Sequence, residues 1–261
     1  MNPSKNIMML FEPKRPYQEL GLILRQQLIN GDYQIGERLL PERNIAEQLN
    51  VSRTVVREAI IMLELENLVE VRKGSGVYVL NIPNKSHGRE AIISDDAGPF
   101  EMLQARQLLE SNIAEFAAIQ VTPGDIVKMR AALELEKEEF ANNTSDCVGD
   151  EQFHLCIAKA TQNSVLVDML KHSWERREQS PMWQKLHSRI IGRDYRKEWL
   201  DDHAQILSAM QRKDPIAAKH SMWQHLENVK QRLLELSDID DPNFDGYLFN
   251  SNPVVHLKNT V

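Results

Sequence analysis

The spacing of apolar residues in the first third of the chain predicts three short helices. The first is expected over 17–30, on a stripe of apolar side chains at helical spacing: Tyr17, Leu20, Leu24 and Leu28. The second is expected from about residue 41 to 49, and the third from 53 to about 66. Ser52 is a favourable N-cap for the third helix, because its hydroxyl oxygen accepts from a backbone N–H of the first turn.

A hairpin is expected after these helices. Apolar and polar residues alternate over 69–72 and again over 77–80, and the segment 73–76 between them contains two glycines. Alternation on both sides of a glycine-containing turn is typical of a β-hairpin. Three short helices followed by a hairpin predict a winged helix-turn-helix over 15–80.

The rest of the chain has a different pattern. The segment 81–96 contains proline, serine and glycine with little periodicity, which is typical of an interdomain linker. Beyond it the pattern is helical, and helices are expected over 100–120, 123–142, 148–160, 164–178, 195–212 and 215–236. The predicted fold class is therefore mainly α, with a winged helix-turn-helix followed by an all-α bundle of six or seven helices over 97–236. Tails over 1–14 and 237–261 flank the two domains.

The composition is that of an ordinary globular protein, with 42% hydrophobic and 26% charged residues among 261. No apolar run exceeds about five residues, whereas a membrane-spanning helix needs ~20. No signal peptide is recognisable, and the two cysteines, Cys147 and Cys156, suit neither a disulfide framework nor a metal motif. We expect a cytoplasmic protein without a membrane partner.

Charge is distributed unevenly along the chain. The net charge is −7, but ten Lys/Arg balance ten Asp/Glu within residues 1–80, so the acidity belongs to residues 81–261. A neutral domain can still bind DNA when its cations gather on one face. The positions of the cations therefore matter more than their number.

The N-terminal turn of the third helix carries side chains suited to DNA. Arginine can donate two hydrogen bonds to guanine, and serine or threonine can bind phosphate at a helix end whose dipole favours negative charge. The start of the preceding helix and the hairpin turn add further cations. The predicted DNA-binding residues are Arg43, Ser52, Arg53, Thr54, Arg57, Arg72, Lys73 and Gly74. The alternative is a solvated helix face beside an ordinary hairpin, but the order of the elements favours DNA.

Four residues in the helical domain have the chemistry of a metal site. Asp150 and His154 lie four residues apart and so project from one helix face. His203 and His225 lie on two later helices, and three imidazoles with one carboxylate suit Zn²⁺, Ni²⁺ or Mn²⁺. From spacing alone, a helical histidine is more often a packed or capping residue. We assign that role to the other histidines: His87, His172, His187, His220 and His256.

Several of these segments resemble a known family. Residues 41–46 and 51–59, followed by the glycine-containing wing, resemble the GntR family of bacterial transcription regulators. The resemblance implies that the wing near Gly74 lies at the minor groove and that operator DNA is contacted by Arg43, Arg53 and Arg57. Residues 103–110 and the surroundings of the four metal candidates resemble the FadR-type C-terminal domain of the same family. That likeness implies a divalent metal, zinc before nickel or manganese, on Asp150, His154, His203 and His225.

The same likeness implies that the helical domain binds a small acid beside the metal. Arg106 could clamp the carboxylate, or could form an ion pair with Glu110 four residues away. Asn163 could line the pocket or cap a helix. A closer resemblance, to the hexuronate-utilisation repressors, is carried by residues 97–116, 222–233 and 245–249, and residues 195–200 and 225–233 favour the Uxu type over the Exu type.

This resemblance implies a homodimeric repressor that binds a palindromic operator of glucuronate and fructuronate catabolism genes and is released by a hexuronate such as fructuronate. The regulator could instead respond to another acid, such as galacturonate, gluconate or lactate. A three-histidine site could also serve a metal-dependent enzyme, but we recognise no general base beyond the ligands and no nucleophile motif. We expect a regulator and not an enzyme.

Overall fold

The computed structural model describes residues 15–72, 75–83, 97–142, 144, 148–188 and 194–237. They belong to two compact units, one up to Gly98 and one from Pro99 to Ser237. The tail over 1–14, most of the predicted linker, the wing residues Lys73 and Gly74, and the tail from 238 onward lie outside the described residues.

The described part of the N-terminal unit contains three helices and a hairpin: α1 (Pro16–Asn30), α2 (Glu42–Leu49), α3 (Arg53–Leu65), β1 (Val69–Arg72) and β2 (Gly76–Val79). A proline at the first position starts α1, and Gly31 ends it in the left-handed conformation, with φ of 85°. Ser52 caps α3 as expected, since its Oγ accepts from the backbone N–H of Val55 at 3.3 Å.

Helix α3 forms the centre of this unit. Its inward positions are fully buried, and the apolar stripe predicted for α1 is buried as well. Strands β1 and β2 pair antiparallel, with Val69 opposite Val79 and Val71 opposite Val77. The hairpin thus follows the three helices in the predicted order, and the winged helix-turn-helix is confirmed.

A buried ion pair joins α2 to α3. The Nε of Arg57 donates to Glu42 Oε1 at 3.1 Å and to Oε2 at 3.0 Å, and its Nη2 donates to Oε2 at 2.5 Å. Arg57 is 0% exposed and Glu42 1%. Two charges this deep are stable only while each satisfies the other, so the pair fixes how α2 sits on α3.

The described part of the C-terminal unit consists of helices: α4 (Pro99–Gln120), α5 (Pro123–Asn142), α6 (Val148–Ala160), α7 (Ser164–Gln179), α8 (Pro181–His187), α9 (Asp194–Gln211) and α10 (Pro215–Ser237). They surround one core of aliphatic and aromatic side chains that includes Phe153 and Trp174. The mainly α fold class and the all-α bundle are confirmed. None of the described helices is both long and apolar enough to cross a membrane.

One helix of this unit was missed. Sequence analysis assigned no helix between residues 178 and 195, yet α8 forms there. It is short, but its start is well marked, because Ser180 Oγ accepts from the backbone N–H of Trp183 at 3.1 Å and Pro181 occupies the first position. A serine followed by a proline was the available signal.

Helices α5 and α6 approach each other with almost no space between them. A Cβ atom on Gly149 would lie 2.4 Å from the backbone nitrogen of Glu136. The backbone N–H of Gly149 also donates to both carboxylate oxygens of Glu139, at 3.3 and 3.2 Å. Glycine is therefore required here, and the carboxylate on α5 holds the N-terminal end of α6, where a negative charge is favoured.

Replacing Glu42 with Gln should destabilise the N-terminal unit by about 3–5 kcal/mol, because it leaves the Arg57 charge buried without a carboxylate. Urea unfolding followed by circular dichroism measures this loss. Tryptophan fluorescence reports unfolding of the C-terminal unit, because all four tryptophans lie at positions 174–223. The urea midpoint of that unfolding transition should not change. Arg43→Ala removes an exposed pair with Glu47 and should cost no more than about 0.5 kcal/mol. Equal losses from the two variants would contradict the role of the buried pair.

Candidate functional site

Three imidazoles and one carboxylate converge inside the C-terminal unit. Asp150 and His154 come from α6, His203 from α9 and His225 from α10. One donor atom of each residue lies within 4.8 Å of one donor atom of every other. The three histidines are at most 2% exposed. The structure therefore brings together all four residues that sequence analysis proposed as metal ligands.

The three rings turn the same nitrogen inward, although their planes are tilted by 39–78° to one another. His203 Nε2 lies 3.2 Å from the Nε2 of His154 and 3.2 Å from that of His225. Asp150 Oδ1 lies 3.4 Å from His154 Nε2 and 3.7 Å from His203 Nε2. All three imidazoles thus turn the same nitrogen toward one point. Three nitrogens and a carboxylate oxygen facing one point fit a divalent cation such as zinc.

The opposite nitrogen of each ring faces a second carboxylate. His154 Nδ1 contacts Glu110 Oε2, His203 Nδ1 lies 2.7 Å from Glu136 Oε2, and His225 Nδ1 lies 3.4 Å from Asp202 Oδ2. Such partners orient the rings of metal-binding histidines and leave Nε2 as the electron-pair donor. The spacing of residues along the chain does not predict this role for the three carboxylates.

The electrostatics of the centre follow from these contacts. Burial alone would lower the pKa of His154, but Glu110 and Asp150 outweigh it and raise that pKa to about 9. Burial and the neighbouring His203 lower the pKa of His225 to about 4. Burial would raise the pKa of Glu110, yet Arg106 and His154 hold it at about 2. Glu110 therefore stays ionised at neutral pH.

The centre lies in the wall of a cavity of about 340 Å³. Asp150 and His225 line it together with two arginines, Arg106 and Arg177. Further lining comes from indole and aliphatic side chains: Trp183, Trp199, Val148, Leu226, Val229 and Leu233. The volume is at the small end of the usual range for ligand sites, ~300–1,000 Å³, and the lining combines cationic, anionic and apolar side chains.

The two predicted effector-binding residues occupy different places. Arg106 is 4% exposed, its Nε donates to Glu110 Oε1 at 2.6 Å, and it also lines the cavity. Both interpretations of Arg106 thus have a counterpart in the structure. Asn163 is exposed and caps α7, where its Oδ1 accepts from the backbone N–H groups of Val165 and Leu166. It is not among the described residues lining the cavity, which corrects its placement in the pocket.

In the N-terminal unit, the exposed cations of the predicted DNA-binding set lie at α2 and the hairpin. The side chain of Arg43 is 69% exposed and pairs with Glu47 one turn along α2. Arg72 is 51% exposed, lies over the Tyr78 ring at 4.4 Å and donates to Glu70 at 2.8 Å. Both guanidinium groups form ion pairs with neighbouring carboxylates at the surface of the unit.

The start of α3 is more enclosed than the sequence suggested. Arg53 is 6% exposed and Thr54 8%, while Ser52 is half-buried with its Oγ 2.7 Å from Thr54 Oγ1. The prediction of a direct DNA contact for Arg57 is corrected. One turn into α3, its side chain faces α2, where Glu42 binds it in the core.

Comparison with known proteins agrees with this architecture. The family model described as "Bacterial regulatory proteins, gntR family" matches residues 16–79, and that of the FCD domain matches residues 101–228. The chain is 60% identical to the Uxu operon transcriptional regulator of Escherichia coli (strain K12), over 92% of this chain and 95% of that protein.

Two further relatives have similar coverage. Identity to the Uxu operon regulator of Haemophilus influenzae (strain ATCC 51907 / DSM 11121 / KW20 / Rd) is 54%, over 92% of this chain and 90% of the relative. Identity to the Exu regulon transcriptional regulator of Escherichia coli (strain K12) is 51%, over 96% and 97%. These relatives are regulators of transcription and not enzymes. The chain therefore belongs to the gntR family of bacterial regulatory proteins, as a DNA-binding transcriptional regulator with an FCD domain.

Proposed function

We propose that this protein represses genes of glucuronate and fructuronate catabolism and that a hexuronate, fructuronate before others, releases it from its operator. The observation that carries the proposal is the cluster of three Nε2 atoms and one carboxylate in the wall of a cavity that two arginines also line. A sugar acid has the matching groups, a carboxylate beside hydroxyl or keto oxygens. The names of the Uxu and Exu relatives support the same class of genes.

The proposed cofactor is a divalent metal, zinc before nickel or manganese, held by Asp150, His154, His203 and His225. When bound, it would supply positive charge and open coordination positions for oxygen ligands. The chain's own contribution is orientation. Glu110, Glu136 and Asp202 fix the three rings, and Asn228 in turn donates to Asp202 at 3.0 Å.

The proposed active form is a homodimer on a palindromic operator. A dimer places two copies of α3 about one helical turn of DNA apart, which matches the symmetry of a palindrome. The effector would bias the positions of the helices around the cavity and thereby change the spacing of the two DNA-binding units. Arg53 and Thr54, which are enclosed at the start of α3, would turn outward toward base edges on binding, with Arg43 and the wing on the phosphates.

Replacing His203 with Ala should abolish metal binding and the response to the sugar acid, because His203 lies between the other two rings. Elemental analysis of the purified protein measures the metal. His172→Ala, an exposed histidine on α7, is the matched control and should retain the wild-type content. A fully loaded His203→Ala protein would refute the site.

The affinity for zinc should fall as the pH is lowered from about 8 to about 6, because the pKa of His154 is raised to about 9 in the metal-free protein and metal must displace its proton. Titration of apo protein with zinc at several pH values measures the slope. An affinity that is independent of pH would mean that His154 is not a ligand.

Replacing Arg43 with Ala should weaken operator binding to a similar extent on all sequences. It should also reduce the slope of log K against log salt concentration by about one. Arg53→Ala should weaken operator binding by about 1–3 kcal/mol and relax the base preference at one position of the operator. Gel-shift titration on an operator selected from random duplexes measures both. Lys137→Ala, an exposed cation of the other unit, should change neither; unchanged affinity in both arginine variants would disprove the assigned interface.

Calorimetric titration of zinc-loaded protein with fructuronate, glucuronate, galacturonate, gluconate and lactate tests the effector class. We expect the tightest binding for fructuronate, and release of the operator by the same compound. Tighter binding of galacturonate, gluconate or lactate would keep the regulator and change its effector. Turnover of a hexuronate by the purified protein would contradict the regulatory role of the site.

A further inference from the structure

The cavity beside the metal candidates has a second guanidinium that sequence analysis did not single out. Arg177 lies in the last turn of α7 and lines the cavity together with Asp150 and His225. Its guanidinium carbon lies 3.9 Å from the centre of the Trp174 ring and 5.3 Å from that of Trp183. Two indole rings from neighbouring helices therefore hold one cation at the cavity.

Contact with the indoles restrains this guanidinium. Cations are attracted to the face of an indole ring, and a planar guanidinium can stack on it while its N–H groups point sideways. Trp174 is itself 1% exposed and fixed in the core. A guanidinium that is ordered before the ligand arrives loses less conformational entropy on binding, so the same hydrogen bonds give tighter binding.

Arg177 shares an aromatic neighbour with one of the metal candidates. The Trp174 ring that it contacts is 5.6 Å from the ring of His154. One indole thus separates the guanidinium from a proposed metal ligand. Arg177, Asp150 and His225 line the same cavity, so a small molecule in it has the guanidinium and the metal candidates on its walls.

Arg106, the arginine predicted from the sequence to bind the effector, contacts a carboxylate of the metal candidates' surroundings. Its Nε donates to Glu110 at 2.6 Å, and the other oxygen of Glu110 contacts His154 Nδ1. The charge of Arg106 is therefore engaged by the carboxylate that orients a metal ligand. Arg106 acts as a positioning residue for Glu110 and His154.

The remaining charges of the cavity make a cation necessary for an acid. Glu151 and Glu178 line the cavity as well, in addition to Asp150. Three carboxylates repel an anionic ligand, so an acid binds well only where a cation offsets them locally. Among the described lining residues, Arg106 and Arg177 are the two guanidinium groups that can supply such a cation.

We propose that Arg177 binds the carboxylate of the effector and so determines the preference of this protein for sugar acids over neutral sugars. The two oxygens of a carboxylate match the paired N–H groups of a guanidinium. The hydroxyl and keto oxygens of the sugar then face the metal candidates. The inference rests on the proposed function, because it assigns the orientation of a sugar acid in the same cavity.

The test compares fructuronate with fructose, which carries a hydroxymethyl group in place of the carboxylate. Calorimetry on the zinc-loaded full chain should show that Arg177→Gln weakens fructuronate binding about ten- to a hundredfold and leaves the weak binding of fructose unchanged. The preference for the acid therefore collapses. Arg176→Gln, an exposed neighbour on α7 that is not among the described lining residues, should keep wild-type values for both sugars.

Two further measurements keep the outcome unambiguous. The zinc content of Arg177→Gln should equal that of the wild type, because Arg177 is not a proposed ligand. Arg177→Lys keeps a charge but loses the planar pair of donors, so its affinity for fructuronate should fall between those of wild type and Arg177→Gln. If Arg177→Gln melts early, Arg177→Lys carries the test, and wild-type affinity in that variant overturns the inference.

The failures are distinguishable. Wild-type protein that binds no sugar acid overturns the proposed function and this inference with it. Wild-type protein that binds fructuronate, combined with unchanged affinity in Arg177→Gln, overturns the inference alone. Equal weakening for fructuronate and fructose also overturns it, because it indicates damage to the cavity and not loss of a carboxylate contact.

Discussion

Three ring–carboxylate contacts organise the C-terminal unit. Glu110, Glu136 and Asp202 each face the Nδ1 of one buried histidine, and the three rings consequently turn Nε2 toward a single point. Without these contacts, each imidazole could rotate or change its tautomer, and the four donors would not converge. The cavity depends on the same contacts, because Glu110 also binds Arg106 in its wall.

One buried ion pair connects two helices of the N-terminal unit. The Arg57–Glu42 pair joins α2 and α3 inside the fold. The exposed cations Arg43 and Arg72 are then carried on a rigid base. For the proposed DNA contacts, this arrangement combines fixed geometry in the core with exchangeable partners at the surface.

Most of the fold and the four metal candidates can be predicted from the sequence, because they depend on local signals. The periodic apolar positions gave helix bounds within one or two residues, and the four metal candidates were found from their types and their family pattern. Contacts between distant positions were not accessible. Glu136 and His203 are 67 residues apart, and the inward direction of Arg57 depends on the packing of α2. Arg177 was missed because its significance comes from two indole rings on α7 and α8.

Gly149 gives the C-terminal unit a mechanical property. With 2.4 Å between its absent Cβ position and the backbone of Glu136, α5 and α6 touch main chain to main chain. Close-packed backbones neither compress nor separate without losing many contacts at once. We therefore expect α5 and α6 to move as one rigid body, which carries Asp150, His154 and Glu136. Motion started by a ligand in the cavity must therefore be carried by the helices packed around α5 and α6, namely α4, α7 and α9.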